Sequence, residues 1–349
     1  MATDPVARSK PVSIREVARE SGVSLTTVSL ILNKGDQRIS EATRRRVLAT
    51  IDRLGYRPNR LAQGLQNRRS HILAILVPGL KHAFADVYFG ELISGIYDEA
   101  SRLGYKILLE VATAGFVRQR KYIELFDQCF IDGLLFVGAH EQHRFLHDLA
   151  SREYPVLIVN NYFAQERLDY VVCDYAAAAR LAAQHLFDLG HRQVGMIRGA
   201  VEVQTAMDAR NAFVETCRQL GTTVTDDLIA DGLYTEEGGG AAVEELLRRE
   251  PRLTAIFAGN DKMAIGAIRR LHQLGKRVPD DISVVGCDDI HQAAFVTPPL
   301  TTVRTPLYDL GKRSAQCMID LIRRKVKQCH EILPVELVTR ESTAPPPPR

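Results

Sequence analysis

The sequence predicts an all-α head followed by a larger α/β core made of two doubly wound, parallel-sheet lobes. Three observations support this prediction. Helix start and stop signals crowd the first 58 residues, with a short turn between the first two helices. From residue 72 onward, short apolar strands alternate with amphipathic helices, which is typical of parallel sheets covered on both faces. The two parts also carry net charges of opposite sign.

The head begins with two short helices. Ser13 and Glu16 form a Ser-x-x-Glu capping box, which predicts a helix start. Gly22 supplies a tight turn, and Ser24 caps a second helix. Two short helices joined by a glycine-containing turn form a helix-turn-helix, whose second helix lies in the major groove of DNA. A third helix, from about residue 41 to 54, should pack across both.

Positive charge is concentrated in the head. Residues 1–70 carry 14 Lys and Arg against 6 Asp and Glu, a net charge of +8. The other 279 residues carry 31 against 36, a net charge of −5. A basic end on a mildly acidic body predicts that phosphate binding is confined to that end. The alternative, a solvated amphipathic helical pair, is less consistent with both signals together.

Composition places the chain among multidomain intracellular proteins. It has 349 residues, 46% of them hydrophobic, enough for a large core. No apolar run approaches the ~20 residues that a membrane span needs, and the polar first ten residues do not resemble a secretory signal. The six cysteines have no Cys-x-x-Cys spacing, which favours reduced thiols. We therefore expect a cytoplasmic protein with no membrane partner, no cofactor and no metal.

Seven strands are predicted in the core, more than one ordinary sheet usually holds, so two lobes are expected. The strands are Ile72–Val77, Lys106–Glu110, Gly133–Val137, Pro155–Asn160, Gln193–Ile197, Ala255–Phe257 and Ile282–Val285. We expect four segments along the chain. They are a helix-turn-helix domain (1–58), a hinge helix and linker (59–70), a two-lobed core (71–343) and a disordered proline-rich tail (344–349).

These features together resemble the LacI/GalR (lactose-repressor) family of transcriptional regulators over nearly the whole chain. The motifs that carry the resemblance are Val17-Ala18, Gly22-Val23-Ser24, Thr27-Val28-Ser29, Asn33, Gly55-Tyr56-Arg57-Pro58-Asn59, His185-Leu186, Leu189-Gly190-His191-Arg192, Asn260-Asp261, Met263-Ala264, Asp281 to Gly286, Asp288-Asp289 and Pro299 to Val303. Each motif is moderate support alone, and their order and spacing are highly specific.

The resemblance implies a homodimer that represses carbohydrate genes. Its paired heads would read a near-palindromic operator, and its core, similar to periplasmic sugar-binding proteins, would bind a small sugar or sugar acid as effector. The first lobe would comprise about residues 71–173 and 304–330, and the second about 174–303 and 331–343. Effector binding would change how the lobes sit and so shift operator affinity.

The resemblance also implies a set of DNA contacts. Leu25, Thr26 and Leu30 occupy the base-reading positions, while Ser29 and Asn33 match phosphate contacts. Many relatives have arginine where this chain has Leu30, and a leucine can contact only thymine methyls or sugars. The other expected contacts are Ser24, Thr27, Arg38, Asn59, Arg60, Ala62 and Leu65. Leu65 could wedge into a minor-groove step or simply anchor the linker.

Effector contacts are expected where strands end, because ligands bind beyond the carboxyl ends of parallel strands. This rule selects Asn160, Asn260 and Asp288, whose amides and carboxylate suit a polyhydroxylated ligand. Tyr88 and Phe89 match family positions that line the cleft, although for Phe89 a place in the core is favoured, as it is for most aromatic residues. The neighbouring Asp261 and Asp289 are as consistent with helix capping as with ligand contact.

Two arginines make a sugar acid an alternative to a neutral sugar as the effector. The family usually has an arginine at the position of Ala209, and here Arg210 lies one residue on, so its side chain is rotated by ~100° around the helix. Arg198, just past a strand end, is a second candidate cation. If both reach the cleft, an anionic sugar becomes plausible, because the guanidinium matches carboxylate and phosphate.

Catalytic motifs are missing from the sequence, which contains neither a Walker-type phosphate loop nor a Gly-x-Ser-x-Gly elbow. We therefore expect no enzyme activity. His140, His143 and His147 have metal-compatible spacing, but an exposed polar helix face explains them better. Two other functions are less consistent with the sequence. A solute-binding protein is disfavoured by the basic head, and a cytoplasmic sugar enzyme by the lack of an acid–base or phosphate motif.

Overall fold

The computed structural model describes residues 12–32, 39–57, 69–79, 86–140, 145–163 and 168–348. The chain separates into two compact units, Met1–Ser70 and His71–Arg349, which we call the head and the core. Six of the expected DNA contacts lie outside the described residues. They are Asn33, Arg38, Asn59, Arg60, Ala62 and Leu65.

The described part of the head contains the helices α1 (Ile14–Ser21), α2 (Leu25–Leu32) and α3 (Glu41–Leu54). The capping box is formed, since the Ser13 N–H donates to Glu16 Oε2 at 2.7 Å and the Glu16 N–H donates to Ser13 Oγ at 3.3 Å. Gly22 ends α1 with a φ of +63°, a conformation that favours glycine. Ser24 Oγ accepts a hydrogen bond from the Thr27 N–H at 3.1 Å and so caps α2.

The three helices pack around one small apolar core. Val17, Val28 and Val47, one residue from each helix, are fully buried, and Ala18 and Ile31 complete the cluster. Because α2 packs against this core through Val28 and Ile31, which are buried, and Leu32, which is partly buried, its other face remains available for contacts outside the head.

The first lobe of the core is built on an all-parallel sheet of six strands. They are β1 (Ile72–Pro78), β2 (Lys106–Ala112), β3 (Gly133–Val137), β4 (Val156–Val159), β5 (Asp169–Cys173) and β11 (His330–Leu333). Their spatial order is β11-β5-β4-β3-β1-β2. β1 is buried on both faces, which explains its uninterrupted apolar run.

Helices cover both faces of this sheet. The helices of the first lobe are α4 (Val87–Arg102), α5 (Ala114–Arg118), α6 (Lys121–Asp127), α7 (Phe145–Ser151) and α12 (Leu307–Ile322). Apolar residues of α4 and α12 form one core with alternate strand residues. The residues of α5, α6 and α7 form a second core on the opposite face.

The second lobe has a sheet of the same kind with one antiparallel edge. Its strands are β6 (Val194–Arg198), β7 (Ile229–Asp231), β8 (Ala255–Ala258), β9 (Ser283–Asp288), β10 (Thr301–Arg304) and β12 (Glu336–Val338). Their order is β12-β10-β9-β8-β6-β7, with β12 antiparallel to β10. Its helices are α8 (Tyr175–Asp188), α9 (Gln204–Gln219), α10 (Glu236–Arg249) and α11 (Asp261–Gln273). α8 and α9 pack on one face, and α10 and α11 on the other.

The chain crosses between the lobes three times. The crossings follow β5, β10 and β11. Because β11 pairs with β5 through Leu333, the first lobe extends three residues beyond the expected boundary at 330. This strand has an alternating exposed pattern at a sheet edge, so it lacks the continuous apolar run that marks the central strands.

The carboxyl-terminal tail is ordered at its start, which corrects the expectation of disorder from residue 344. The Ala344 N–H donates to Ser283 Oγ at 3.0 Å, and the Ala344 carbonyl accepts from the Ser283 hydroxyl. The proline-rich composition is a poor predictor of disorder here. Proline lacks an N–H but keeps its carbonyl, so a proline-rich segment can still pack along a surface. Among the described residues, no helix is long and apolar enough to cross a membrane.

Candidate ligand cavity and nucleic-acid interface

A cavity of about 510 Å³ lies between the two lobes of the core. Ends of strands from both sheets reach it: Pro78 ends β1, Asn160 follows β4, and Asp288 ends β9. Its position agrees with the rule that ligands bind beyond the carboxyl ends of parallel strands. Five residues expected at an effector site line the cavity. They are Tyr88, Phe89, Asn160, Asn260 and Asp288.

A chain of hydrogen bonds runs across the cavity from one lobe to the other. Asn160 Nδ2 donates to the hydroxyls of Tyr88 and Tyr175, each at 2.6 Å. Tyr175, the first residue of α8, donates onward to Asp288 Oδ1 at 3.5 Å. The Thr305 hydroxyl donates to the same oxygen at 3.2 Å. This chain offers a ligand both donors and acceptors on one wall.

Backbone conformation directs the two central side chains of this chain. Asn160 has a φ of +60° and Asp288 a φ of +111°, and Asn and Asp are the non-glycine residues that best tolerate the left-handed region. The Asn160 amide is further fixed because its Oδ1 accepts from the Cys173 N–H at 3.3 Å. Both side chains therefore leave the strand ends in set directions.

Burial controls the protonation of these groups. Burial raises the pKa of Asp288 well above its usual range, and the nearby Asp261 adds to the rise. Burial also raises the pKa values of the Tyr88, Tyr175 and Tyr234 hydroxyls. The three tyrosines are consequently neutral donors at physiological pH. The Asp288 carboxyl therefore favours its protonated form more than an exposed carboxyl does, and partners that donate hydrogen bonds stabilise its charged form.

Aromatic rings form the apolar part of the lining. Tyr88 and Phe89 lie edge to face with ring centroids 5.2 Å apart. Phe89 is 8% exposed and belongs to the first lobe's core as well as to the cavity, so the two alternatives for this residue are not exclusive. Tyr234 adds a third ring from the second lobe. Flat apolar faces beside hydroxyl-binding groups suit the two faces of a sugar ring.

One ion pair links the lobes beside the cavity. Lys262 Nζ on α11 lies 2.9 Å from Asp86 Oδ2. Asp86 also caps α4, since its Oδ1 accepts from the Tyr88 N–H at 3.0 Å, while Asn260 caps α11 through the Met263 N–H at 2.9 Å. Each of these residues stands at a helix start that follows a strand, which is the signal that could have identified Asp86 and Lys262 from the sequence.

Both candidate arginines lie outside the cavity lining, which corrects the expectation that they bind effector. Arg198 Nε donates to Asp231 Oδ1 at 2.5 Å, and Arg210 pairs with Asp226. Ala209, one residue earlier, lines the cavity instead. The ~100° rotation between adjacent helical residues explains why Arg210 points elsewhere, and no change of register compensates for it.

Asp261 and Asp289 are structural rather than part of the lining. Asp261 is fully buried, and its carboxyl accepts from the Ile290 N–H at 2.8 Å and the Thr302 hydroxyl at 2.5 Å. Asp289 forms ion pairs with Arg304 and Arg340 at 2.7 and 2.6 Å. Neither carboxyl acts through simple capping, because each joins elements that are distant in sequence.

Several lining residues were missed by sequence reasoning. They are Asp86, His140, Asn161, Tyr175, Tyr234 and Lys262. The expectation that His140, His143 and His147 form an exposed polar face is wrong for two of them, because His140 and His147 are half-buried and His140 lines the cavity. His143 lies outside the described residues. Burial lowers the pKa of His140, so this imidazole favours the neutral form.

The outward face of α2 presents the expected base-reading residues. Ser24, Leu25 and Thr26 are exposed at its start, and Leu25 retains 44% of its surface. Thr27, Ser29 and Leu30 are partly exposed. The side-chain hydroxyls of Ser24 and Thr27 lie 2.9 Å apart and also hold the helix start together. The face is therefore mainly apolar and hydroxyl-bearing, consistent with contacts to thymine methyls and phosphates.

Comparisons with known proteins agree with the description of both the head and the core. Residues 13–59 match the family described as bacterial regulatory proteins, lacI family, and residues 183–343 match the periplasmic binding protein-like domain. The chain is 31% identical to catabolite control protein A of Priestia megaterium over 338 residues, which cover 95% of this chain and 99% of that protein.

Solved structures with similar folds include two that contain ligands. The lac repressor dimer bound to operator and the anti-inducer ONPF superposes with a TM-score of 0.83 at 26% identity, covering 96% of this chain and 100% of that one. The transcriptional regulator CelR in complex with cellobiose gives a TM-score of 0.74 at 29% identity, covering 95% and 99%.

Proposed function

This chain belongs to the lacI family of bacterial regulatory proteins, and from that premise we propose that it is a dimeric repressor of carbohydrate-utilisation genes controlled by a neutral sugar. The sugar binds in the cavity between the lobes and changes the affinity of the paired heads for a near-palindromic operator. The relatives support this proposal, since one is a repressor dimer bound to operator and another is a regulator bound to cellobiose.

The observation that carries the choice of ligand is the hydrogen-bonded chain through Tyr88, Asn160, Tyr175 and Asp288. A polyhydroxylated ligand can donate to the buried Asp288 carboxyl and to the tyrosine hydroxyl oxygens, and it can accept from the Tyr88 hydroxyl. A ligand without hydroxyls would form none of these additional hydrogen bonds.

The charges around the cavity favour a neutral sugar over a sugar acid. Lys262 is already paired with Asp86, and His140 favours its neutral form. Arg198 and Arg210 pair with carboxylates outside the lining. A ligand carboxylate beside the Asp288 carboxyl would be costly, because burial already disfavours the charged form of Asp288 and Lys262, the cation among the described lining residues, is paired with Asp86.

For the head, we propose that Leu25, Thr26 and Leu30 contact base edges and that Ser24, Thr27 and Ser29 contact phosphates. Their exposure on the outward face of α2 supports this assignment. The absence of an arginine at Leu30 predicts relaxed discrimination at one base pair, because a leucine makes no bidentate hydrogen bond to guanine.

We further propose that the cavity binds its ligand without converting it and that the protein works in the cytoplasm, where operator DNA lies. The names of the relatives support the first point, since they are regulators.

Two measurements on the full chain test the proposal. Calorimetric titration with neutral mono- and disaccharides is expected to show binding, whereas gluconate-like acids of the same size bind at least tenfold more weakly. A preference for the acids would reject the neutral-sugar assignment.

Operator binding is tested with a duplex selected from a random DNA pool. Fluorescence anisotropy is expected to show affinity that falls steeply with rising salt, as counterion release requires, and that changes when the sugar is added. A scrambled duplex of the same length is the control. Equal affinity for both duplexes would contradict sequence-specific binding and favour a solute-binding protein.

A further inference from the structure

Two thiols and a carboxylate come together at the edge of the first lobe, away from the cavity lining. Cys317 lies on α12, Cys329 immediately precedes β11, and Glu331 lies on β11. The two sulfurs and a Glu331 carboxylate oxygen all lie within 4.8 Å of one another. Both cysteines are buried, at 5% and 4% exposure, so the two thiols are shielded from bulk water, whereas Glu331 is partly exposed.

Strand geometry explains which side chains meet here. Cys329 and Glu331 are two residues apart and therefore point to the same face. His330, between them, points to the other face, where its ring stacks on Tyr170 with centroids 4.4 Å apart. The strand therefore presents one sulfur and one carboxylate to Cys317, and the complete donor set is two sulfurs and one oxygen.

The spacing of these donors suits a tetrahedral cation. Glu331 Oε1 lies 3.1 Å from Cys317 Sγ and 3.8 Å from Cys329 Sγ. A tetrahedral zinc ion with bonds of ~2.3 Å to sulfur and ~2.1 Å to oxygen holds these two ligand atoms ~3.6 Å apart. Small rotations of the side chains would bring the three donor atoms to the distances found around a tetrahedral zinc ion.

The charge balance of the cluster also suits a divalent cation. Two thiolates and one carboxylate carry three negative charges, which a divalent ion reduces to one. Arg313, one turn before Cys317 on α12, supplies the remaining positive charge, since its Nη2 donates to Glu331 Oε1 at 2.6 Å and its Nε donates to Oε2. The same guanidinium fixes the orientation of the carboxylate, as outer partners of metal ligands do.

We propose that Cys317, Cys329 and Glu331 form a binding site for a thiophilic divalent cation such as Zn²⁺ or Cd²⁺. Thiolate donors select such ions over hard cations. On binding, each thiol loses its proton to solvent as its sulfur bonds to the metal, and no electron is transferred. The cation then ties α12 to β11, just before the chain crosses into the second lobe at β12.

The test is a Cd²⁺ titration of the full chain, kept reduced with a phosphine. One Cd²⁺ per chain is expected, with the ultraviolet charge-transfer absorption of cadmium thiolate and a rise in Tm, because a ligand that binds only the folded state stabilises it. Cys317→Ser and Cys329→Ser should each weaken binding at least tenfold. Cys129→Ser, at the most accessible of the six thiols, is the matched control and should bind like the wild type.

Retention of the cadmium band and its affinity in both serine variants would overturn the proposal. If a serine variant fails to fold, the proposal is tested on the wild-type chain by measuring how fast its cysteines are alkylated. Cd²⁺ should then slow the alkylation of Cys317 and Cys329 at least tenfold, as mapped by mass spectrometry, while the rate at Cys129 stays unchanged. Unchanged rates at all three residues would also overturn it. Glu331→Gln should weaken binding while the thiolate band remains, because both sulfurs are still present.

Discussion

The two lobes share one strand order but present different chemistry to the cavity between them. Asn160 follows β4 and Asp288 ends β9, and these strands hold the same place in the two sheets. At these matching strand ends the first lobe offers the neutral amide of Asn160, whereas the second offers the carboxyl of Asp288, which is buried near that of Asp261. The shared scaffold thus places a polar residue with a positive φ at the ends of β4 and β9. The type of side chain alone decides how each of these two positions responds to pH.

The largest expected effect concerns the pH dependence of stability. Burial raises the pKa of Asp261 to about 7, so the folded chain keeps a proton that the unfolded chain releases near pH 4. The stability that this carboxyl contributes is full below about pH 4 and is lost as the pH rises toward 7. Relative to Asp261→Asn, the wild type should lose a few kcal/mol across that interval.

Urea denaturation at a series of pH values measures this difference. The amide of Asn161 in the first lobe does not titrate, so Asn161→Gln serves as a control that leaves the shape of the pH profile unchanged. Parallel profiles for the wild type and Asp261→Asn would contradict the contrast between carboxyl and amide lobes.

The next effect concerns ligand affinity at Asp288. Asp288→Asn keeps the shape of the side chain but replaces one acceptor oxygen with a donor. We expect sugar affinity to fall about 30-fold or more, because a hydrogen bond to a charged or strongly polar partner contributes about 2 kcal/mol. Calorimetry measures the change. Asp281→Asn, at a surface carboxylate paired with Arg277, should bind sugar like the wild type, and equal losses in both variants would remove Asp288 from the site.

The matching change in the first lobe should act on stability. Asn160→Ala removes the partner of the Tyr88 and Tyr175 hydroxyls and of the Cys173 N–H, leaving buried polar groups unsatisfied. We expect the free energy of unfolding to fall by about 2 kcal/mol, as measured by urea denaturation without ligand. Tyr88→Phe removes only one of these bonds and should cost less. A variant as stable as the wild type would show that the amide is not structural.

A smaller effect is expected from the ion pair that joins the lobes. Lys262→Met removes the partner of Asp86 at a site open enough for solvent to screen the pair, which limits its contribution to about 1 kcal/mol or less. Sugar affinity should change about threefold and lose part of its dependence on salt. Titrations at low and high ionic strength measure this, and a salt dependence equal to that of the wild type would separate the pair from binding.

The smallest effect is expected at Arg210. Because this side chain pairs with the exposed Asp226 outside the cavity lining, Arg210→Ala should change sugar affinity by less than about twofold. Competition binding against the wild type resolves such a difference. A tenfold loss would place Arg210 back among the ligand contacts.

Sequence reasoning reached the architecture because its signals are local. The capping box at Ser13, the turn at Gly22 and the continuous apolar run of β1 each reflect interactions within a few residues. Five of the twelve described strands were missed. β7 and β12 are three residues long, and β11 is half-exposed at a sheet edge, so their positions depend on partners distant in sequence. The other two, β5 and β10, are five and four residues long and lie between neighbouring strands of their sheets.

The candidate site was only partly predictable for the same reason. The strand-end rule selected Asn160 and Asp288, whose positions follow from the parallel sheet alone. It could not select Tyr175, which reaches the cavity because α8 starts in the second lobe immediately after a strand of the first. It also selected Arg198, whose direction is fixed by an ion pair with Asp231 that only the folded chain brings together.

Because the chain crosses between the lobes three times, the first lobe cannot be completed until late in synthesis. The first lobe is made early, yet its central helix α12 and edge strand β11 span residues 307 to 333, near the end of the chain. Those residues supply part of the core that also contains Phe89 and Leu92. The nascent chain therefore leaves the ribosome with one face of its first sheet covered only in part, by α4, until almost the whole polypeptide has been translated. During that interval chaperones have an apolar surface to bind.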